Sequence, residues 1–225
     1  EMNDIKGIYN NILNDKKIID LYDKIEKFEN NSDNGYAYHN FTHIKNVTNL
    51  VENILNKLDF DEEFIYKAKI ACLLHDIGST EGKKDHAIKS YNFAKKYFEE
   101  NNINFKDIDM VLEAIKIHSN GFETDNIIAL VLILADKLDV KKTRISEVGK
   151  RIIGNRQYSH IEDIKIVGII NDNILKIKFI TDGNIDEKEL KDYYFTKKIM
   201  KAINSFSDKL KLQNIVYLDD KIFEI

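Results

Sequence analysis

The chain has 225 residues, a net charge of −4 and 43% hydrophobic content, enough to bury a core in one large domain or in a domain with an appendage. Charges of both signs are mixed along it with no long basic block, so there is no electrostatic footprint for a nucleic-acid or membrane-surface role, although a local patch can still bind a small anion. A lone cysteine, Cys72, excludes an internal disulfide and fits a reducing interior; with no apolar run near the roughly 20 residues of a spanning helix and no signal-like start, the expectation is a cytoplasmic protein.

From the start to about Gly154 the apolar residues recur at helical spacing and strand-like alternation is absent, which predicts an all-helical bundle. The first stripes are Ile5, Ile8, Tyr9 and Ile12, then Ile18, Tyr22, Ile25 and Phe28. Asn30 to Gly35 is a polar break. Asn40 is the expected N-cap of a helix with the stripe Ile44, Val47, Val51, Ile54 and Leu58, and Asp61 caps the next. That helix runs into Leu74-His75-Asp76-Ile77-Gly78, and Ser79 to Lys84 follows as a polar loop that could cover a site. Helices are expected from Lys84 to Glu100 and from Asp107 to the Ser119-Asn120-Gly121 stop. Asn126 to Val140 is apolar on nearly every face, as a fully surrounded central helix would be.

After about Tyr158 the grammar changes. Leu175, Ile177 and Phe179 alternate with lysines, and Ile164 to Ile170 reads as their hairpin partner across Asn171-Asp172-Asn173. An amphipathic helix with Leu190, Tyr194, Ile199, Ile203, Phe206 and Leu210 follows, then strand-like Ile215 to Leu218 and Ile222 to Ile225. The expected fold is therefore mainly α, a helical domain over residues 1–158 with a small C-terminal α+β appendage over 159–225. Strands exposed in that appendage could pair within the chain or with a second copy to form a homodimer.

The chain has six histidines, and their position against the stripes is informative because a ligand in a bundle core must project from the apolar face. His43 lies four before Val47, His75 four after Ala71, His118 three after Ile115, and Asp136 four after Leu132. His86 sits on a flank with Ser90 and Phe93. An ionised Asp136 ending a helix buried all round needs a partner, and several imidazoles packed together without a metal would leave unsatisfied groups. Singly each residue is more simply a core histidine or a surface acid; together they favour one or two divalent ions. Mixed imidazole and carboxylate donors with no thiolate suit Fe, Mn, Co, Ni or Zn, with Mg as a further candidate.

His43, His75-Asp76 and Asp136 resemble the H…HD…D signature of the HD superfamily of metal-dependent phosphohydrolases, and Ile133 to Leu138 resembles its last motif. Adding His86 and His118 gives an order similar to that of members with two metals. The resemblance implies an HD-type bundle in which His43, His75, Asp76 and Asp136 hold one ion and His86, His118 and a bridging Asp76 a second. Tyr38-His39-Asn40-Phe41-Thr42-His43 is also similar to the Tyr-His-Asn-x-x-His motif of cyclic nucleotide phosphodiesterases, which makes His39 the general-acid candidate. The loop after Asp76 lacks the lysine of cyclic-dinucleotide phosphodiesterases, and a chain without proline cannot carry their Gly-Tyr-Pro motif. The short interval from Asp76 to His86 is a further departure, weighing against the second ion more than the first.

The implied activity is hydrolysis of a nucleotide or other small phosphate ester by metal-activated water, with His39 and Asp76 in catalysis and Lys137, Lys141 and Arg144 (with Lys142 beside them) neutralising phosphates. A solvated helix end explains those cations equally well. Two rivals keep part of this picture: a di-iron HD-type oxygenase on the same ligands, and a non-catalytic nucleotide sensor that uses the C-terminal unit to bind a partner. His160 is expected at the surface.

Overall fold

A computed structural model describes residues 4–31 and 35–225, the side chains of 169 and 170 apart. The bundle consists of α1 (Ile5–Leu13), α2 (Lys16–Asn30), α3 (Phe41–Lys57), α4 (Glu62–Leu74), α5 (His86–Glu100), α6 (Ile108–Ile117) and α7 (Ile127–Leu138). The two expected caps form: Asn40 Oδ1 accepts from the His43 amide and Asp61 Oδ1 from the Phe64 amide, satisfying N–H groups the helix cannot. Part of the polar break between α2 and α3, residues 32–34, lies outside the described residues.

α7 is the surrounded helix its composition demands, with every residue from Ile128 to Ala135 buried. α4 shares that role, for everything from Ile70 to Leu74 is at most 1% exposed; the two cross at the centre and carry His75-Asp76 and Asp136 to one end. Most stripe residues are buried as expected. Phe28 is not: it stands 40% exposed at the last turn of α2, near the loop at Gly82. The helix expected from Lys84 begins at His86 instead, because Asp85 takes a left-handed conformation (φ 56°) and turns the chain there.

The C-terminal unit is a four-stranded sheet, β1 (Ile161–Ile169), β2 (Ile174–Thr181), β3 (Gln213–Leu218) and β4 (Lys221–Ile222), in sequential order. β1–β2 and β3–β4 are antiparallel and β2–β3 parallel, the parallel pair being joined by α8 (Glu187–Asp192) and α9 (Tyr194–Lys209). The hairpin turns where Asn171-Asp172-Asn173 placed it, with Asn173 left-handed at φ 50°. Two expectations need correction. The helix from Leu190 to Leu210 is two helices, broken at Tyr193 (ψ 131°), and β4 ends at Ile222 because Phe223 turns into the core, 3% exposed.

The sheet and α9 do not stand apart from the bundle: α9 packs along α7 and β1 against α3, and one hydrophobic core runs through both. None of the helices among the described residues is long and apolar enough to cross a membrane.

Candidate metal centre

Five helices and the loop after α4 deliver the ligand candidates to a single point. His43 projects from the first turn of α3, His75 caps the C-terminus of α4 and leaves Asp76 one residue beyond it, His86 opens α5, His118 caps α6, and Asp136 lies in the last turn of α7. Two groups result, His43–His75–Asp76–Asp136 and Asp76–His86–His118, each with ligand atoms within 4.8 Å of one another. Asp76 belongs to both.

The short interval between Asp76 and His86 is bridged by Gly78. A Cβ there would lie 2.5 Å from the Ser90 amide nitrogen and 2.6 Å from the His86 carbonyl oxygen, so only glycine lets the turn after Asp76 press against the start of α5. Its amide donates to Ser90 Oγ at 2.9 Å. The distance in sequence that weighed against His86 is therefore the length of a tight turn.

Each imidazole is turned the same way. The Nδ1 atoms of His75, His86 and His118 lie 2.7, 2.8 and 2.7 Å from the carbonyl oxygens of Cys72, Lys83 and Ile115. A nitrogen facing a carbonyl can only donate, so the ring proton sits on Nδ1 and a neutral ring presents the bare Nε2 lone pair to the centre. His86 Nε2 and His118 Nε2 then face each other at 3.1 Å, two lone pairs with no proton between them. His75 Nε2 and Asp76 Oδ2 are buried without a hydrogen-bond partner. A cation among these atoms removes the conflict, and the donor set fits a divalent metal of the Fe, Mn, Co, Ni or Zn kind.

Electrostatics point the same way. Burial alone would pull the rings down, yet Asp76 and Asp136 outweigh it and lift His75 to about 10. His43 rises to about 9 against burial and Arg144 through its bonds to Asp136, Asp139 and Asp76. Asp76 and Asp136, despite burial, are held well below the usual carboxylate range by the histidines around them. The pocket thus demands positive charge, which protons supply when a metal does not.

Asp139 escaped the sequence reading. Its Oδ2 lies 2.6 Å from His43 Nδ1 and it is fully buried, so it orients His43 as the carbonyls orient the other three rings. Its signal was present, three residues after Asp136 and one turn further along α7, but a helix-end aspartate has many commoner explanations.

Glu29 was missed as well. Its carboxylate accepts from the His39 amide and sits 2.7 Å from His39 Nδ1, bringing α2 behind the general-acid candidate. Burial raises Glu29 to about 7 and, with Lys83 and Arg144 nearby, holds the buried His39 well below its ordinary value. Both directions favour an uncharged pair with the proton on Glu29, which leaves His39 Nε2–H toward the cavity.

That cavity, about 260 Å³, is lined by His39, Asp76, His86, His118 and Asp136 together with Lys83, Lys137 and Arg144. Lys137 is buried, with its ammonium 5.2 Å from the Phe122 ring centre and its pKa lowered by desolvation. Arg144 is buried and largely committed, donating to the Asp136, Asp139 and Tyr38 carbonyls and lying 3.5 Å from Asp136 Oδ1; it braces the end of α7. Lys141 lies outside this cavity, in a cleft with Asn46 and Asp163, because the chain after α7 is extended and alternates, turning Val140 in and Lys141 out. Lys142 pairs with Glu162 at 2.6 Å. Lys83 takes the place these leave. Its surface is exposed, yet enough protein surrounds the ammonium for desolvation and Arg144 to lower its pKa. The rest of the Ser79–Lys84 loop is a tight turn, closed by Gly82 donating to the Ser79 carbonyl. His160 pairs with Asp182 at the surface.

A helical bundle whose core ends in two imidazole–carboxylate groups sharing one aspartate defines a candidate divalent-metal protein. Residues 40–141, the segment that includes all six ligand candidates, match the model of the HD domain family. Among curated proteins none matches the chain.

Proposed function

We propose that this protein is a metal-dependent phosphohydrolase that cleaves a nucleotide-sized phosphate ester. The observation that carries the reading is the buried pair of ligand groups sharing Asp76, opening onto a cavity whose other charged groups include Lys83, Lys137 and Arg144. An anion would be drawn there by the cations, since the carboxylates facing it are engaged by His43 and His75 and would be neutralised further by a bound divalent ion.

His43, His75, Asp76 and Asp136 would hold one ion, and Asp76, His86 and His118 a second. Bound there, divalent ions supply a water acidified to near neutral pH and charge stabilisation for a phosphoryl group. Lys83 and Lys137 bind the phosphate from the cavity side, with Arg144 fixing the end of α7 on which Asp136 rides. His39 Nε2–H faces the cavity and donates its proton to the leaving alkoxide, while Glu29 passes its own proton to Nδ1. The relay moves one proton outward with no separated charge at the start.

Activity on a panel of phosphate esters with added Mn, Fe, Co, Ni or Mg tests the reading. We expect turnover that Asp76→Ala abolishes and His39→Ala slows by about 10²–10⁴-fold. Turnover absent under every metal, or surviving in Asp76→Ala, overturns it, and oxygen consumption by the iron-loaded protein in its place would mark an oxygenase.

A further inference from the structure

The cavity has a second wall that the HD segment does not supply. Tyr158, Tyr193, Tyr194 and Phe195 line it with the metal-site residues, and all four lie beyond residue 141, where the family match ends. The break between α8 and α9 puts them there: Tyr193 is extended, so the chain presents three consecutive aromatic residues at one point where a continuous helix would splay them around its axis.

Two of these rings are fixed. Tyr158 is fully buried with its hydroxyl 2.7 Å from Thr196 Oγ1. Tyr193 donates to Asn155 Oδ1 at 3.3 Å and lies against Gly154, where a Cβ would come within 2.3 Å of its ring. Tyr194 is different. It is 55% exposed, and Tyr36 on the same cavity is 39% exposed. Both rings thus leave aromatic surface open at the edge of a charged cavity, where a planar group can stack.

We propose that Tyr194, assisted by Tyr36, is a stacking subsite for the planar aromatic part of the substrate, so that the C-terminal unit selects nucleoside monophosphates over sugar phosphates. A volume of about 260 Å³ lies just under the roughly 300–1,000 Å³ usual for drug-sized ligands, and suits one base with one phosphate better than a longer nucleotide. The inference rests on the phosphohydrolase reading for its phosphate end, while its aromatic end can be tested without turnover.

The test is calorimetric binding to metal-stripped full-length protein, with adenosine 5′-monophosphate and ribose 5-phosphate as probes that differ only by the base. Wild type should bind the nucleotide at least tenfold more tightly. Tyr194→Leu, at an exposed position, should cut that ratio about tenfold, and Tyr194→Phe should retain it, since stacking needs the ring and not the hydroxyl. Equal affinities in wild type, or an unchanged ratio in Tyr194→Leu, overturn the subsite. A preserved ratio in a protein that hydrolyses nothing would sink the enzyme reading and leave the subsite standing; hydrolysis with no preference for the base would do the reverse.

Discussion

The two halves of the metal centre are built differently. The half made by His43, His75, Asp76 and Asp136 sits on the crossing of α3, α4 and α7, with His43 and His75 at most 1% exposed, and Asp139 braces it from behind. The other half borrows Asp76 and adds two histidines from α5 and the end of α6; His86 has a side chain 16% exposed, and no carboxylate besides Asp76 belongs to the group. A site with two carboxylates and a braced ring should hold its ion more tightly than one with a single shared carboxylate. The first half is embedded in the core, and the second hangs on a turn.

The sharpest way to break this comparison is to remove what the halves share. Asp76→Ala should lose both ions, whereas His86→Ala should lose one and keep the tighter; metal content of the purified variants by mass spectrometry gives the count. Equal content in the two would reduce the centre to a single ion.

Next in size is the turn that brings His86 home. Gly78→Ala places a Cβ 2.5 Å from backbone at Ser90, which side-chain rotation cannot relieve. Pushing α5 away should cost roughly 3 kcal/mol of stability by the usual scale of overpacking and should weaken the second ion before the first. Thermal melts with metal titration would show it, and a wild-type melt would refute the contact. Asp139→Asn acts on the opposite half. Losing the charge behind His43 should weaken the first ion by about 10–100-fold while leaving the second in place, read by competition with a chelator. Loss of both in proportion would mean that Asp139 supports the bundle and not the ligand.

The half in the core was legible from the sequence because its residues obey two rules at once: they continue apolar stripes and they are of ligand type. α7 could be read from composition alone, and Asp136 as a ligand only together with the histidines. The HD resemblance, now matched over residues 40–141, supplied the pairing of His86 with His118, which periodicity left on a flank. What stayed hidden were groups whose role depends on tertiary approach. Glu29 meets His39 from ten residues upstream, Lys141 leaves the cavity through one alternation of an extended chain, and Tyr194 reads as a helix stripe residue until the chain breaks at Tyr193. The last two turn on backbone angles outside regular elements, at Lys141 and Tyr193, and the first on an approach between segments; neither periodicity nor propensity has purchase on either.

The smallest effect expected is also the most discriminating for the proton relay. Burial raises Glu29 from 4.5 to about 7 in the folded protein, while in the unfolded chain it titrates in the ordinary range. The folded state therefore holds the proton more tightly, and the stability this lends is full below about pH 4.5 and is lost as pH rises through 7. Glu29→Gln keeps an acceptor for the His39 amide and a donor for Nδ1 but cannot ionise. Measured on metal-stripped protein, the variant should gain stability over wild type between pH 4.5 and 7, by roughly 1–2 kcal/mol once water in the cavity is allowed for, and the gain should level off above that. Glu29→Gln should also slow turnover, since the side-chain amide can hold His39 in place and has no proton to pass on. A stability difference that stays flat with pH would mean that Glu29 is ionised throughout and serves His39 as a fixed anion.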